Sequence, residues 1–250
     1  MLPLTQYKIL LIGDSCIDQY VYGKCERLNP EAPVPVLSYT HTSSTMGMAW
    51  NVRNNIMSFG SEVYLLTQEE KILKTRYIDE KSNQQILRVD NEPTIKPFSY
   101  DLPDPNQYDA LVISDYNKGF LTKQKMYELV DWFDGPIFID SKKTTLPVDK
   151  AFIKINDEEF KKLKFTSSNL IVTRGSAGAE YQGKIYPGVK VNTFDVCGAG
   201  DTFLSALVVF YLKYGRIEDA IPYANKAASI AVQHQGTYVL SGEDINEICG

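Results

Sequence analysis

The sequence predicts an α/β fold in which a mainly parallel β-sheet lies between two layers of helices. Short apolar runs alternate with segments in which apolar residues recur every three or four positions, as in proteins built from repeated strand–helix units. The runs contain few polar residues, which is typical of parallel strands covered on both faces. Three further segments alternate polar and apolar residues and predict a smaller sheet with one face in water.

The main sheet is predicted from six short apolar runs, which are too short to form helices. These runs are 8–12, 63–66, 110–114, 136–139, 152–155 and 170–173. Helical spacing between them predicts helices at 51–59, 122–133 and 157–163. Two longer helices are predicted at 202–214 and 217–234, and alanines on one face of the second favour close packing between the two.

The smaller sheet is predicted from the alternating segments 18–23, 34–39 and 85–90. We place it in two stretches, about 18–39 and 76–91, of a single domain that spans residues 1–250. A sheet that projects from the carboxyl ends of parallel strands serves either as a lid that excludes water from a reaction or as a surface between two copies of the chain. The pattern leaves both roles open, and we expect a homodimer through these strands.

Composition narrows the classes of partner. The 250 residues carry a formal net charge of −5 and a pI near 5.2, which argues against a general affinity for nucleic acid or anionic membranes. The four cysteines lack metal-binding spacing, and the amino terminus lacks the apolar run of a signal peptide. No run is long enough to span a membrane. We therefore expect a soluble, cytoplasmic protein that acts on a small molecule.

The most informative motif is the stretch DVCGAGDT at 195–202, directly before a long apolar helix. Glycines at 198 and 200 let the backbone bend so that its N–H groups point at a ligand, and the helix start adds the positive end of its dipole. The motif predicts an anion-binding cradle with Asp201 beside it. The alternative for Asp201 is an ordinary N-cap of the helix.

Five motifs occur in the order seen in the ribokinase-like (PfkB) sugar kinases, and the resemblance covers nearly the whole chain. They are GDSCID at 13–18, Gly47 with Asn51, NDEE at 156–159, TRG at 173–175 and GAGDT at 198–202. Three further segments resemble the heptose 7-phosphate kinases of this family, which feed ADP-heptose synthesis for lipopolysaccharide. These are NPEAPVPV at 29–36, NQQ at 83–85 with Arg88 and Asp90, and SDYNKG at 114–119.

The resemblance implies a three-layer α/β/α sandwich with a small β lid, and phosphorylation of a sugar hydroxyl by ATP. Asp201 is then the general base, and the backbone N–H groups of Gly198, Ala199 and Gly200 stabilise charge on the transferred phosphoryl group. The resemblance to the heptose 7-phosphate kinases implies transfer to the anomeric hydroxyl of D-glycero-D-manno-heptose 7-phosphate, which gives the 1,7-bisphosphate. The alternatives are a kinase of another sugar or a nucleoside, and a degenerate relative that binds without catalysis.

On the nucleotide side, the resemblance implies that Asn156 and Glu159 position Mg²⁺ through water, since oxygen donors suit this cation. Their alternative is a capping box at a helix start. Arg174 and Lys142 are expected near the phosphates and Asn225 beside the adenine, although each could be an ordinary surface residue. The resemblance also implies a K⁺ site at Asp195, where Cys197 replaces the usual threonine.

On the acceptor side, we place Asp18 at the end of the first strand, with Gly47 and Asn51 on the same floor, to bind sugar hydroxyls. A sugar phosphate also needs cations, and Lys118, Arg88 and Arg27 are the candidates. The alternative for Arg88 and Arg27 is a solvent-facing charge.

Two departures from the family pattern bear on specificity and on the sheet. Met48 and Trp50 stand where relatives have small residues, so we expect bulky side chains at the sugar floor and a shifted acceptor preference. After residue 67, only a short connection precedes the second stretch of the small sheet, at about 76–91, where polar and apolar residues alternate. We therefore expect the sheet to have lost an edge unit.

Overall fold

The computed structural model describes residues 6–147 and 150–250. The helices are α1 (Ala49–Ser58), α2 (Lys123–Trp132), α3 (Asp157–Phe160), α4 (Ala199–Tyr214), α5 (Ile217–Ala231) and α6 (Gly242–Cys249). The strands are β1 (Lys8–Gly13), β2 (Ser15–Leu28), β3 (Pro35–Met48), β4 (Glu62–Leu66), β5 (Leu73–Asp79), β6 (Gln84–Asn91), β7 (Ala110–Asp115), β8 (Ile137–Ser141), β9 (Ala151–Asn156), β10 (Leu170–Thr173), β11 (Ala179–Tyr181) and β12 (Lys184–Tyr186).

The main sheet has eight strands in the order β12-β11-β10-β9-β8-β7-β1-β4. The six strands β10, β9, β8, β7, β1 and β4 run parallel to one another, whereas β11 and β12 add an antiparallel edge. The predicted α/β fold is therefore confirmed, and all six predicted strands are present within two residues of their expected ends. The antiparallel edge was not predicted, because two strands of three residues are too short for a periodic signal.

Alternate residues of β1 pack into two separate hydrophobic clusters, one on each face of the sheet. Ile9 and Leu11 belong to the cluster that contains side chains of α1, α4 and α5. Leu10 and Ile12 belong to the cluster that contains side chains of α2. This division shows why the strand has no polar face: both of its sides are fully buried.

The helices follow the prediction with two shortenings. Only four residues, Asp157–Phe160, form α3, and α5 ends at Ala231 rather than near residue 234. The predicted close packing is observed between α4 and α5, where Phe210 stacks on Tyr223 with ring centroids 4.1 Å apart. Among the described residues no helix is long and apolar enough to cross a membrane.

A second sheet of four strands has the order β3-β2-β5-β6, and we call it the small sheet. The three alternating segments of the sequence lie within β2, β3 and β6. The sequence did not predict β5 over its full length, because its burial does not alternate regularly. Strands β2 and β3 also reach much further than expected, to 14 residues each.

The link between the two sheets is short. Strand β4 forms the edge of the main sheet, and the chain then enters β5 of the small sheet without another strand, in agreement with the expected loss of an edge unit. The buried side chain of Gln68 closes this link. Its Oε1 accepts a hydrogen bond from the backbone N–H of Ser15 at 3.0 Å, and its Nε2 donates to the Ser15 carbonyl at 2.7 Å.

Candidate active site

Close contacts surround the two glycines at the start of α4. Gly198 has φ 76°, a left-handed conformation that glycine adopts without strain. A Cβ at Gly198 would lie 2.8 Å from Asn51 Nδ2, and one at Gly200 would lie 2.7 Å from Lys154 Nζ. Residues Cys197 to Gly200 are partly exposed, and the N–H of Ala199 donates a long hydrogen bond of 3.3 Å to the Val196 carbonyl.

Asp201 lies in the first turn of α4 with its side chain 3% exposed. One carboxylate oxygen accepts a hydrogen bond from Tyr116 Oη at 2.7 Å, and the other accepts one from Asn51 Nδ2 at 3.1 Å. The N-cap of α4 is Gly198, and no side chain caps the helix. The N-cap alternative for Asp201 is therefore wrong.

Burial controls the protonation of this carboxylate. Burial raises the pKa of Asp201 to about 6, while the hydrogen bonds from Tyr116 and Asn51 act in the opposite direction. A carboxylate with this pKa is ionised at neutral pH and still has appreciable proton affinity. It meets the chemical requirement for a general base.

A buried ion pair lies beside the cradle and was not predicted. Lys154 Nζ donates to Asp140 Oδ2 at 2.6 Å, and both side chains are almost fully buried. Lys154 also lowers the pKa of Asp201, although less than burial raises it. The available signal was the polar residue inside the apolar run 152–155, since a lysine within a buried strand requires a partner.

The nucleotide-side pair Asn156 and Glu159 forms a capping box at α3. Asn156 Oδ1 accepts from the Glu159 N–H at 2.9 Å, and Glu159 Oε2 accepts from the Asn156 N–H at 2.8 Å. The structural alternative is thus observed. Each of these oxygens keeps a further lone pair, so the capping box leaves room for a water-mediated metal contact.

The two predicted nucleotide-side cations are both ion-paired. Lys142 pairs with Glu159, and its ammonium lies 5.3 Å from the ring centroid of Tyr116. Arg174 pairs with Asp157 and donates to Glu180 at 2.7 and 3.1 Å. A nucleotide contact by Arg174 stays a prediction, and it requires these pairs to open.

A cleft of about 220 Å³ opens where β8 and β9 end. Its lining includes Lys142, Lys143 and Lys162 together with Asn156 and Glu159. Ligands of open α/β sheets bind outside the carboxyl ends of strands, which is where this cleft lies. Lys142 and Lys143 are paired with Glu159 and Asp115, so binding of a polyphosphate by these lysines requires the pairs to open.

Asn225 and Asp195 hold neighbouring segments in place. Asn225 is buried on α5 and donates to the carbonyls of Tyr186 and Pro187 at 2.9 and 3.2 Å, so its interpretation as a surface residue is wrong. Its contact with adenine stays a prediction. Asp195 accepts from the N–H groups of Cys197 and Gly236, each at 2.9 Å, and so joins the loop before α4 to the segment after α5.

The acceptor side differs from the prediction in the position of Asp18. This residue lies within β2, not at the end of the first strand, and it forms a buried ion pair with Arg76 at 2.6 Å. A Cβ at Gly47 would overlap the Asp18 carboxylate and would lie 2.8 Å from Cys16 Sγ. Gly47 is therefore required so that β2 and β3 can pair at this point.

Two of the three cations predicted to bind a sugar phosphate form ion pairs with carboxylates. Lys118 Nζ donates to both carboxylate oxygens of Glu92 at 2.6 Å, which neutralises its charge. Arg88 is exposed and pairs with Asp90 at 2.9 Å. Arg27 is exposed as well, so the solvent-facing alternative holds for Arg88 and Arg27 in this conformation.

Of the two bulky residues after Gly47, Met48 is buried in the core. Met48 is 4% exposed and packs into the hydrophobic cluster on the α2 face of the main sheet. The ring of Trp50 lies 5.0 Å from the guanidinium carbon of Arg53 on α1. Met48 therefore gives no support to a shifted acceptor preference.

The small sheet supplies two cations that were not predicted as acceptor-side residues, Lys74 and Arg76 on β5. Lys74 lies in parallel register with Asp18, and side chains two positions apart on a strand share a face. Burial raises the pKa of the Cys16 thiol, and the nearby Lys74 ammonium opposes that shift. Among the described residues Lys74 has no ion pair.

The chain is similar in sequence to known carbohydrate kinases. The profile of the pfkB carbohydrate kinase family matches residues 153–243, which include the cradle and Asp201. The bifunctional protein HldE of Nitratiruptor is 31% identical over 300 aligned positions, and the HldE of Helicobacter pylori strain 26695 is 33% identical over 304. These alignments cover 96% and 95% of this chain but only 64% and 66% of the relatives. The chain thus spans just under two thirds of their length.

Solved structures show the same fold. Ribokinase from Thermotoga maritima superposes with a TM-score of 0.69 at 16% identity, covering 97% of this chain and 99% of that one. Phosphofructokinase-2 from Escherichia coli, solved in complex with potassium, gives a TM-score of 0.70 at 15% identity, covering 97% and 98%. The ribokinase-like fold expected from the sequence is confirmed.

Proposed function

Because this chain belongs to the pfkB family of carbohydrate kinases, we propose that it transfers the terminal phosphoryl group of ATP to a sugar hydroxyl, with Asp201 as the general base. One observation carries this proposal. The buried carboxylate of Asp201 is fixed through both of its oxygens at the start of α4, next to the partly exposed glycines Gly198 and Gly200.

The proton and the charge of the transfer are handled by different groups. Asp201 takes the proton of the acceptor hydroxyl as the oxygen attacks phosphorus, which is favourable because its pKa is raised to about 6 by burial. The amides of Gly198, Ala199 and Gly200 stabilise the charge on the transferred group. Fixed donors at a helix start are effective here because they need no reorganisation during the reaction.

We propose that Asn156 and Glu159 hold Mg²⁺ through water beside the lysine-lined cleft. Bound Mg²⁺ neutralises phosphate charge and keeps several waters, so a site of few protein oxygens is sufficient. Among the described residues no cluster of three or more acidic, cysteine or histidine side chains offers a complete protein site, which fits a metal held mainly by water and phosphates. A K⁺ site beside Asp195 is proposed on the resemblance, and the bond to Gly236 brings together the loops that such a site needs.

For the acceptor, we propose D-glycero-D-manno-heptose 7-phosphate, phosphorylated at its anomeric hydroxyl to the 1,7-bisphosphate. The resemblance to heptose 7-phosphate kinases and the similarity to the HldE proteins support this choice. An anionic acceptor is also supported by Lys74, a partly buried residue in register with Asp18. Within residues 6–147 and 150–250 it has no carboxylate partner, and an unpaired ammonium suits a phosphate group.

We further propose a cytoplasmic homodimer that pairs through the small sheet. Strand β6 is exposed along its length and carries Ile86, Leu87 and Val89, which is unusual for an edge strand facing water. A dimer mass measured by light scattering would support this pairing. A monomer mass at micromolar concentration would remove it.

The function is tested by measuring ATP consumption with heptose 7-phosphate, ribose, fructose 6-phosphate and nucleosides. We expect turnover with the heptose phosphate and its loss in Asp201→Asn. Lys74→Met should raise KM for the phosphorylated acceptor, whereas the matched change Lys71→Met, at an exposed position, should leave it unaltered. If turnover is seen only with another sugar or a nucleoside, that compound is the acceptor and the proposal of heptose 7-phosphate is wrong. ATP binding without turnover on any acceptor would contradict the kinase activity.

A further inference from the structure

Tyr116 connects the proposed base with the nucleotide side of the site. Its hydroxyl donates to Asp201 Oδ1 at 2.7 Å. The Lys142 ammonium lies over its ring, 5.3 Å from the centroid. Its backbone N–H donates to Asp14 Oδ2 at 2.7 Å, which fixes the loop after β7. Tyr116 is thus held by its backbone, its ring and its hydroxyl.

We propose that Tyr116 is a positioning residue that keeps the carboxylate of Asp201 ionised and aimed at the acceptor hydroxyl. This inference rests on the proposed function and extends it to a residue outside the cradle. The phenol acts through Asp201 and takes no proton itself.

The direction of the hydrogen bond follows from the surroundings of the phenol. Burial raises the pKa of Tyr116 well above its ordinary value, and the neighbouring Asp201 charge raises it further. The phenol therefore stays protonated and can only stabilise an ionised carboxylate when it donates. The hydrogen bond correspondingly lowers the pKa of Asp201 against the larger effect of burial.

The hydrogen bonds to Asp201 leave lone pairs that a substrate hydroxyl could use. A carboxylate has about four lone-pair directions, and Tyr116 and Asn51 use one on each oxygen of Asp201. An acceptor hydroxyl can therefore bind without displacing either residue. With one donor on each oxygen, the plane of the carboxylate is fixed before the sugar arrives.

Several other groups face Asp201 and contribute to its titration. The charged or titratable ones are Asp140 on β8, Lys154 on β9, Cys16 on β2, Cys197 in the loop before α4 and Lys142 after β8. Tyr116→Phe leaves all of them unchanged. A shift in this variant is therefore due to the lost hydroxyl.

The first test is the pH dependence of kcat for Tyr116→Phe. We expect its acid limb to move upward by about one pH unit, because the lost hydrogen bond makes the carboxylate easier to protonate. At pH 6 the variant should therefore fall about fivefold below the wild type, approaching tenfold at lower pH, with KM for ATP unchanged. Tyr100→Phe is the matched control, since it loses one hydroxyl bond of 3.0 Å, to the Thr67 carbonyl, outside the site.

A second measurement separates this inference from the proposed function. Carbon-13 NMR titration of the Asp201 carboxyl reports its pKa without any substrate, and we expect a higher value in Tyr116→Phe than in the wild type. An equal value, or an acid limb that does not move, overturns the role of Tyr116 even if the kinase activity is established. Wild-type inactivity with every acceptor defeats the proposed function, while the NMR comparison still decides the role of Tyr116. If Tyr116→Phe does not fold, Tyr116→Leu is measured in the same way.

Discussion

Asn51 on α1 and Asp201 on α4 form a buried hydrogen bond of 3.1 Å between residues 150 positions apart. The orientation of the Asn51 amide is fixed from its other side, since its Oδ1 accepts from Asn55 Nδ2 at 3.1 Å. The amide nitrogen therefore faces the carboxylate and also lies 3.5 Å from the Gly198 carbonyl. This contact joins α1, where Asn51 is predicted to bind sugar hydroxyls, to the glycine motif at the start of α4.

Replacement of the proposed base should abolish turnover and spare nucleotide binding. We expect Asp201→Asn to lower kcat by about 10²–10⁴-fold, the usual contribution of general-base catalysis. ATP affinity, measured by calorimetry, should stay within a few-fold of the wild type. Asp131→Asn, at an exposed position on α2, is the control and should be fully active. Substantial turnover by Asp201→Asn would contradict the assignment.

The same carboxylate should make stability depend on pH. The folded-state pKa of Asp201 is raised to about 6, so its protonated form is favoured by folding. Its contribution is complete below pH 4 and is lost as pH rises through 6, by about 2–3 kcal/mol in the free energy of unfolding. Urea unfolding between pH 4 and 8 should show this loss in the wild type. A pH dependence of equal size in Asp201→Asn would exclude Asp201 as its source.

Adding a methyl group to the cradle should impair nucleotide use while the fold persists. In Gly200→Ala the new Cβ would lie 2.7 Å from Lys154 Nζ, the flexible end of a side chain that can shift. We expect kcat and ATP affinity each to fall severalfold, measured by coupled assay and calorimetry. Gly242→Ala is the control because no atom lies within 4 Å of its Cβ. Unchanged kinetics in Gly200→Ala would show that this part of the cradle does not approach the phosphates.

The buried pair of Lys154 and Asp140 should couple strongly in a double-mutant cycle. Lys154→Met leaves the Asp140 carboxylate buried without its cation and should lower the free energy of unfolding by about 3–5 kcal/mol. Adding Asp140→Leu should recover most of this loss in urea unfolding. The exposed pair of Lys161 and Glu158 provides the comparison, and its cycle should show no measurable coupling. Additive losses at the buried pair would contradict the interaction.

Gln68 should stabilise the short link between the two sheets. Gln68→Leu removes both hydrogen bonds to the Ser15 backbone and leaves a buried donor and acceptor unpaired. We expect a loss of about 1–3 kcal/mol for each group, measured by urea unfolding. Gln124→Leu on the exposed face of α2 is the control. Equal stability of the two variants would show that water replaces the lost bonds.

The fold was largely predictable because its signals are local. Runs such as 8–12 and 110–114 are apolar throughout, and only strands covered on both faces tolerate that pattern. The strands β11 and β12, which were not predicted, are short, and β5, which was predicted only in part, is irregularly buried. Their pairing depends on neighbours far away in the sequence, which periodicity does not report.

The candidate site was predictable in part. The glycines and Asp201 form a contiguous motif, so their proximity follows from the chain itself. Lys118 stays predicted as a phosphate ligand, and the structure adds its pairing with Glu92, 26 positions earlier, which the sequence does not indicate. Asp18 was assigned to the wrong strand because β2 begins only two residues after β1 ends.

The sequence alone determined the layered α/β fold, the glycine motif at the start of α4 and the resemblance to a kinase family, because burial periodicity and contiguous motifs are local properties. Only the tertiary structure decided which side chains hold Asp201, which cations are already paired and which lysine lies beside the cradle. Those relationships join Asn51, Tyr116 and Lys154 to one carboxylate through the order of strands in the sheet. Strand order and helix packing set distances between remote residues, and the sequence does not encode these distances locally.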